Sequence, residues 1–570
     1  MDGTEGIMRT RDHGRAADVN PNAGFARNPA LRRRTPRAFA GFPLARTAAL
    51  LALLAGPWAA STHDSAPASA ADDGAPIARA QGPVVAFAGD VNLGRRQNAV
   101  TARDGPAAAL AGVPALAKAE LAIVNLESVV ASGGEPAEKG EGGPYYFRGR
   151  PEMLAVLAAA GVDVVGAANN HSGDYGDAAL LEQARLLDGM NLAHAGSGPD
   201  LEAACAPVLR HAGALRVAFF SVDATMPHFA ATADQPGTCY LPSDDAAAWR
   251  ARFGPRIEAA RETADVVLVG VHAGPNFRTR PGDDEVRISR ALIEAGADAV
   301  LGTSAHVLQG VEVYRGRPIL YDAGNLLFDS RDDPVGSAVF SLVLAPGGVR
   351  QVWATPIDVG YGATQAAEGE QAHGILAELH DRSAELGTTL RVQGHGGVID
   401  LAAPAARRPP PDRAPPDPPP LAPPEPLRDP PSACTAAAVP REAGVDPLTV
   451  GPLTLVGATV APSPITERGM LWVDTYWTTA APIAGDLWIH LTGKPVDRDA
   501  MPPWRGDHEP CDWMWPTSRW EPGVIYHDRY GVRPPNELAT TELELVVGLR
   551  LEDERLGTDR TVARVAVVVE

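Results

Sequence analysis

Fourteen of the 28 residues from 404 to 431 are proline. Proline removes backbone donors and fixes φ, so such a stretch builds neither helix nor sheet and reads as an extended, semi-rigid linker. It cuts the 570-residue chain into two folding units of different texture. The expected layout is a targeting segment over 1–70, a first domain over 71–403, a linker over 404–439 and a second domain over 440–570.

The first segment is basic in an acidic chain. Residues 1–70 hold nine Arg, no Lys and five Asp or Glu, while the whole chain carries −20. Arg32-Arg33-Arg34, Arg37 and Arg46 precede the apolar run Thr47–Gly56, which is too short to span a bilayer but suits the core of a signal peptide. Ala68-Ser69-Ala70 offers a small-residue cleavage site. An extracytoplasmic location (secreted, periplasmic or cell-envelope) is therefore expected. The acidic balance argues against nucleic acid or an anionic membrane as the main partner. The four Cys lie in no C-x-x-C pair, which leaves a zinc-thiolate site unsupported. In an exported protein they allow three disulfide pairings, and proximity favours Cys205–Cys239 with Cys434–Cys511.

From Val84 to about Asp329 short apolar runs alternate with Ala-rich helical stretches. The runs are Val84–Ala88, Leu121–Val124, Val162–Gly166, Val217–Val222, Val266–Val271, Ala299–Leu301 and Pro318–Tyr321. This alternation predicts an α/β layered domain with a largely parallel sheet. Ser337–Leu344 and Val349–Ile357 read as a hairpin. Beyond Pro440 short strand-like runs sit between Pro- and Gly-rich turns with many Trp, predicting an antiparallel β-sandwich.

Six of the seven runs end in groups that bind metal. They are Asp90 with Asn92, Asn125 with Glu127, Asn170 with His171, His272, Ser304 with His306, and Asp322 with Asn325. One such ending means little, since Asp, Asn and Gly are common turn residues. Repeated at the carboxyl ends of strands, which line one crevice in a parallel sheet, they point to a convergent site. Carboxylates, an amide and several His suit a dinuclear site for divalent metal of the Mn, Fe or Zn kind.

The region from Val84 to Asp329 resembles the capsule-synthesis CapA family, also called PgsA in poly-γ-glutamate synthesis, which is related to the calcineurin-like metallophosphoesterases. The matching stretches are Gly89–Arg95, Asn125–Ser128, Ala168–Gly176, Val271–Pro281 and Ala305–Asn325. The resemblance implies a four-layer α/β metallophosphatase sandwich. It also implies Asp90, Glu127, Asn170, His272 and His306 as metal ligands, with Glu127 bridging. His171 would steady a phosphate or protonate a leaving group. Asn92 and Ser304 stand where the phosphoesterases carry His; with Asn325 they are further, weaker ligand positions. Arg95 and Arg278 are candidate contacts for an anionic substrate. Lys139, Tyr145 and Tyr146 fall in or beside a Gly-rich stretch, Gly133–Gly143, expected to be a plain surface loop, and Trp504, Trp515 and Trp520 are expected to cover the second domain's core or its edge rather than to form a sugar-stacking face.

The implied function is an exported, metal-dependent phosphoesterase-type hydrolase acting in the synthesis of a capsule or envelope polymer. Its expected partners are an anionic or phosphorylated polymer or precursor and a membrane synthase complex. The alternative is a non-catalytic accessory protein of a polymer synthase or export complex, which the residues at 92 and 304 favour.

Overall fold

The computed structural model describes residues 82–568, apart from 142–143, 329–334, 361, 406–416, 419–420, 467–469, 497–503, 533–541 and 552–553. The targeting segment and part of the linker lie outside the described residues. No described helix is long and apolar enough to cross a membrane.

The region from Val84 to Asp400 is mixed α/β, and its seven apolar runs divide between two sheets rather than one. The Val84–Val91, Leu121–Leu126, Val164–Gly166 and Ala193–Ala195 strands pair in parallel. On the other side of Val84–Val91 the sheet continues antiparallel through the Val335–Ala345/Gly348–Val359 hairpin. The second sheet pairs Leu215–Asp223, Val266–His272, Ala299–Thr303 and Arg317–Leu320 in parallel. The run pattern could not separate the sheets, because a short strand buried on both faces reads the same in either.

Alternation within each strand builds the layers. Val85, Phe87, Leu121 and Ile123 of one sheet share an apolar cluster with Val217, Phe219, Leu268 and Leu301 of the other. The intervening residues face outward. Ala86, Ala122 and Val124 meet Met153, Leu154, Leu157 and Leu187 from helical segments. Phe220, Val267 and Val269 meet Trp249, Phe253, Ile288 and Leu292 on the Ala246–Arg261 and Asp283–Ala295 helices. Cys205–Cys239 is formed and is buried in that outer cluster. The helices Arg96–Asp104 and Gly369–Glu385 were not expected from the sequence.

The C-terminal region beyond the Pro-rich stretch is two five-stranded sheets sharing one core. All its pairings are antiparallel except a short parallel one between Ile465–Thr466 and the last strand. Trp515 and Trp520 are buried in this core, as is Cys434, which is disulfide-bonded to Cys511. The side chain of Trp504 lies outside the described residues.

Candidate metal centre

The site sits where the carboxyl ends of both sheets meet. Asp90 occupies the end of its strand at a register shift, where the Asn325–Leu327 strand joins in parallel. A Cβ on Gly89 would come 1.7 Å from the Gly324 carbonyl oxygen, so only glycine lets the two strands approach here. Glu127 follows the Leu121–Leu126 strand, Asn170 and His171 follow Val164–Gly166, and His272 ends its own strand. His306 lies in the loop after Ala299–Thr303, where Ser304 (φ 111°) and His306 (φ 58°) both take left-handed conformations. Each costs about 1–3 kcal/mol and persists only where neighbours fix it. Asp322 does so by accepting from the Ala305 and Gly324 amides at 2.7 Å.

Glu127 is the centre. It is fully buried, and neither carboxyl oxygen has a hydrogen-bond partner. Three imidazole Nε2 atoms face its Oε1: His306 at 3.6 Å, His272 at 3.8 Å and His171 at 4.0 Å. These gaps are too long for hydrogen bonds; ligand atoms sharing one ion at ~2.1 Å each lie ~3–3.5 Å apart, so a small contraction would seat one. Asp90, Glu127 and His272 each offer a ligand atom within 4.8 Å of the others. Asn170 Oδ1 lies 3.0 Å from His272 Nε2, and Asp90 Oδ2 lies 3.3 Å from His306 Nδ1. The donors present therefore fit a divalent ion of the Mn, Fe or Zn kind.

The charges are poised for one. Burial, then the charges of Asp90 and Asp322, push the Glu127 carboxyl well above its usual range. Burial opposes ionisation of Asp90 too, but His306, His272 and the Asn125 amide outweigh it and hold the carboxyl below its ordinary value. Burial depresses His272 to about 3, leaving it neutral and able to donate a lone pair at neutral pH.

The ligands rest on supports that the sequence shows only as run-end groups, or not at all. Asn125 donates to Asp90 at 2.7 Å and accepts from Asn169 at 3.2 Å, tying three strand ends together. Asp174 lies 2.6 Å from His171 Nδ1 and accepts from Lys139 Nζ at 2.7 Å. Lys139 is not on a plain surface loop: it is buried, and it secures the Gly-rich segment to the dyad. Phe147 stacks against His171 with centroids 4.1 Å apart, and Phe328 packs on His306 at 4.8 Å. Asn125 and Asp322 stand among the run-end groups, whereas Asp174 lies inside the quoted stretch Ala168–Gly176, which was its available signal.

The weaker positions behave differently. Asn92 uses its Oδ1 on the Gly94 amide at 2.7 Å. Ser304 turns its hydroxyl to the Gly274 carbonyl at 2.8 Å and offers Asp90 only its backbone N–H. Asn325 Oδ1 lies 3.0 Å from His306 Nδ1 and orients that ring. Arg95 approaches the Phe147 ring at 5.5 Å, one residue from His171. Arg278 is exposed, and its carbonyl accepts from Gln309.

Residues 84–330 match the Bacterial capsule synthesis protein PGA_cap family. PGA biosynthesis protein CapA of Bacillus subtilis is 30% identical over 283 residues, covering 48% of this chain and 70% of that protein. The chain belongs to the PGA_cap family. A "Probable polyglutamine synthesis accessory protein" of Mycobacterium tuberculosis is 33% identical over 224 residues, or 37% of this chain and 56% of that protein. Capsule biosynthesis protein CapA of Bacillus anthracis is 28% identical over 185 residues, spanning 32% of this chain and 44% of its own length. Asp90, Glu127, Asn170, His272 and His306 all fall within the PGA_cap match, and the C-terminal sandwich lies outside it.

Proposed function

We propose that this PGA_cap member is an exported, metal-dependent phosphoester hydrolase acting in assembly of an anionic capsule or envelope polymer of the poly-γ-glutamate type. The supporting observation is Glu127: a fully buried carboxylate with both oxygens unpartnered, ringed by three imidazoles. Without an ion such a group is costly. We read the two sheets and their outer helices as a four-layer sandwich of the metallophosphoesterase type.

Asp90, Glu127, Asn170, His272 and His306 would hold the ion, whose positive charge would polarise a phosphoryl oxygen and an attacking water. Asp174 fixes the His171 tautomer by accepting from Nδ1, which aims Nε2 at the centre. Burial, with Lys139 adding to it and Asp174 opposing, holds His171 down at about 4. Its Nε2 is therefore an open acceptor at neutral pH. An incoming phosphate favours the protonated form, so His171 would take up a proton from solvent as the substrate binds and deliver it from Nε2 to the leaving oxygen.

A second reading rests on Asn92 and Ser304. Both spend their side chains on nearby backbone, so the second half of a dinuclear site lacks donors. On that reading the domain is an accessory of a polymer synthase, and its one ion is structural.

Elemental mass spectrometry of the purified chain, beside phosphomonoester and phosphodiester assays, separates the two. Hydrolysis predicts at least one metal per chain, lost in Asp90→Ala, and a turnover that His171→Ala abolishes while keeping the metal. Metal without turnover on any phosphoester, and a synthase co-purifying equally with wild type and His171→Ala, would establish the accessory role.

A further inference from the structure

His171 is held by two residues whose chain neighbours both leave the centre for the C-terminal sandwich. Asp174 faces His171 Nδ1 at 2.6 Å, and the same carboxyl oxygen accepts from the Phe147 backbone N–H at 2.7 Å. The Phe147 ring lies on the imidazole, with centroids 4.1 Å apart. The imidazole is therefore fixed both in its plane and from one face. Arg148 follows Phe147 in the chain, and Tyr175 follows Asp174. Arg148 pairs with Asp512 at 3.0 Å, and the Tyr175 hydroxyl donates to the same oxygen of that carboxylate. The Arg148 guanidinium also lies over the Tyr175 ring at 4.1 Å. One carboxylate of the sandwich thus joins the two segments that hold His171.

The sandwich is built to present that carboxylate. Cys511, Asp512 and Trp513 are three consecutive left-handed residues (φ 61°, 48° and 65°). Such conformations cost about 1–3 kcal/mol each and persist only where the surroundings over-determine them. Within the sandwich, the Cys434–Cys511 disulfide, the Cys511 amide on Asp528 at 2.8 Å and the Trp513 ring against Trp488 at 4.9 Å fix the turn. From outside, Arg150 donates to the Trp513 carbonyl at 2.7 Å and to Glu509 at 2.8 Å. The Arg148 and Arg150 side chains are each only 6% exposed, so the carboxylates answer charges that water scarcely reaches.

We propose that Asp512 is a positioning residue for His171, and that the C-terminal sandwich is thereby a working part of the centre rather than an appended module. The inference rests on the reading of His171 as the proton donor of the hydrolysis. Asp512 acts through Arg148 and Tyr175, each one peptide unit from a residue that contacts the imidazole. A peptide unit is planar and stiff, so a shift at either residue is carried to Phe147 or Asp174. Misplacing a reacting group by about 1 Å can cost on the order of a hundredfold in rate. A seat that served only to hold the sandwich would work at any surface. This one falls on the two positions whose movement turns His171. Glu509 is the contrast within the same seat, since its partner Arg150 lies three residues beyond Phe147.

The test is the ring N–H resonance of His171 in the isotope-labelled full chain, read by proton–nitrogen correlation spectroscopy beside the phosphoester assays. His171→Ala identifies the signal. A sharp, slowly exchanging Nδ1–H is expected in wild type, because Asp174 accepts it in a buried site. Asp512→Ala should broaden or abolish it, and should lower kcat and kcat/KM together by about tenfold or more. Asp512→Asn, which still accepts from Tyr175 and Arg148, should restore most of both. Glu509→Gln should leave the resonance as in wild type. Tyr175→Phe deletes only one donor to Asp512 and should weaken the signal, which decides the matter if Asp512→Ala does not fold. An unchanged resonance in Asp512→Ala or in Tyr175→Phe, or an equal loss in Glu509→Gln, overturns the proposal. The resonance needs no turnover. A chain that hydrolyses no phosphoester but loses the signal in Asp512→Ala refutes the hydrolase and upholds the positioning role.

Discussion

Replacing Glu127 by glutamine should make the metal-free protein more stable and remove its response to metal. The side chain is fully buried, no donor reaches either oxygen, and Asp90 and Asp322 add like charge nearby. Leaving a buried polar group unsatisfied costs about 1–3 kcal/mol. Glutamine keeps the shape and cannot ionise beside Asp90 and Asp322, so most of that cost should be recovered. At about 2 °C per kcal/mol, the low end for a large domain, the metal-free melting temperature should rise by roughly 2–6 °C. Wild type should gain from metal instead: an ion at a hundredfold excess over its Kd stabilises by about 2.7 kcal/mol, or roughly 5 °C on the same conversion. Calorimetry of chelator-stripped wild type and Glu127→Gln, each with and without added Mn or Zn, reads both effects at once. A metal-free Glu127→Gln that melts below wild type and still responds to metal would refute the reasoning. Glu127 would then be a structural carboxylate with a partner in solution, and the ion would bind elsewhere.

The remaining expectations concern the supports of the site. Lys139→Met leaves Asp174 with His171 alone and breaks a buried pair, so urea unfolding should show a loss of about 3–5 kcal/mol; a loss below about 1 kcal/mol would mean that solvent reaches the pair. Burial raises Glu509 from its ordinary 4.5 to about 7 despite Arg150. The folded state therefore holds that proton more tightly than the unfolded chain. Its contribution is intact below about pH 4.5 and declines as pH climbs towards 7. Glu509→Gln should match wild type near pH 4.5 and exceed it by up to about 3 kcal/mol near pH 7.5 in urea midpoints taken across that range; a gap that does not widen with pH would count against it. Replacing Cys434 and Cys511 by serine opens a loop of 77 residues and should cost the sandwich about 4 kcal/mol by chemical denaturation. An unchanged midpoint would show that the unfolded segment is already constrained.

How much of this was legible in the chain differs between a ligand and its supports. Asp90, Glu127, His272 and His306 could be found because each terminates, or closely follows, an apolar run, and the end of a strand is a position readable in one dimension. The division of those runs between two sheets was not readable, since a strand buried on both faces carries no mark of the sheet it joins. The outcome for the site was nevertheless the same. Two sheets packed face to face bring the carboxyl ends of their parallel strands to one rim as a single sheet would, so convergence does not depend on how the runs divide. Lys139 shows the opposite case. In sequence it is a cation in a Gly-rich loop, for which solvent is the ordinary home. What buries it is Asp174, 35 positions away, whose charge is already engaged by His171. Only the fold supplies that pairing, because the energetic sense of a buried lysine lies wholly in its partner. The same holds for the sandwich. Its strands and its Cys434–Cys511 pairing followed from local pattern and proximity, but its seat against Arg148 and Arg150 depends on a three-residue left-handed turn at Cys511–Trp513, where no glycine announces one. Positions that break local rules in this way, Ser304 and His306 at the centre and Cys511–Trp513 at the seat of the sandwich, are those whose justification is long-range.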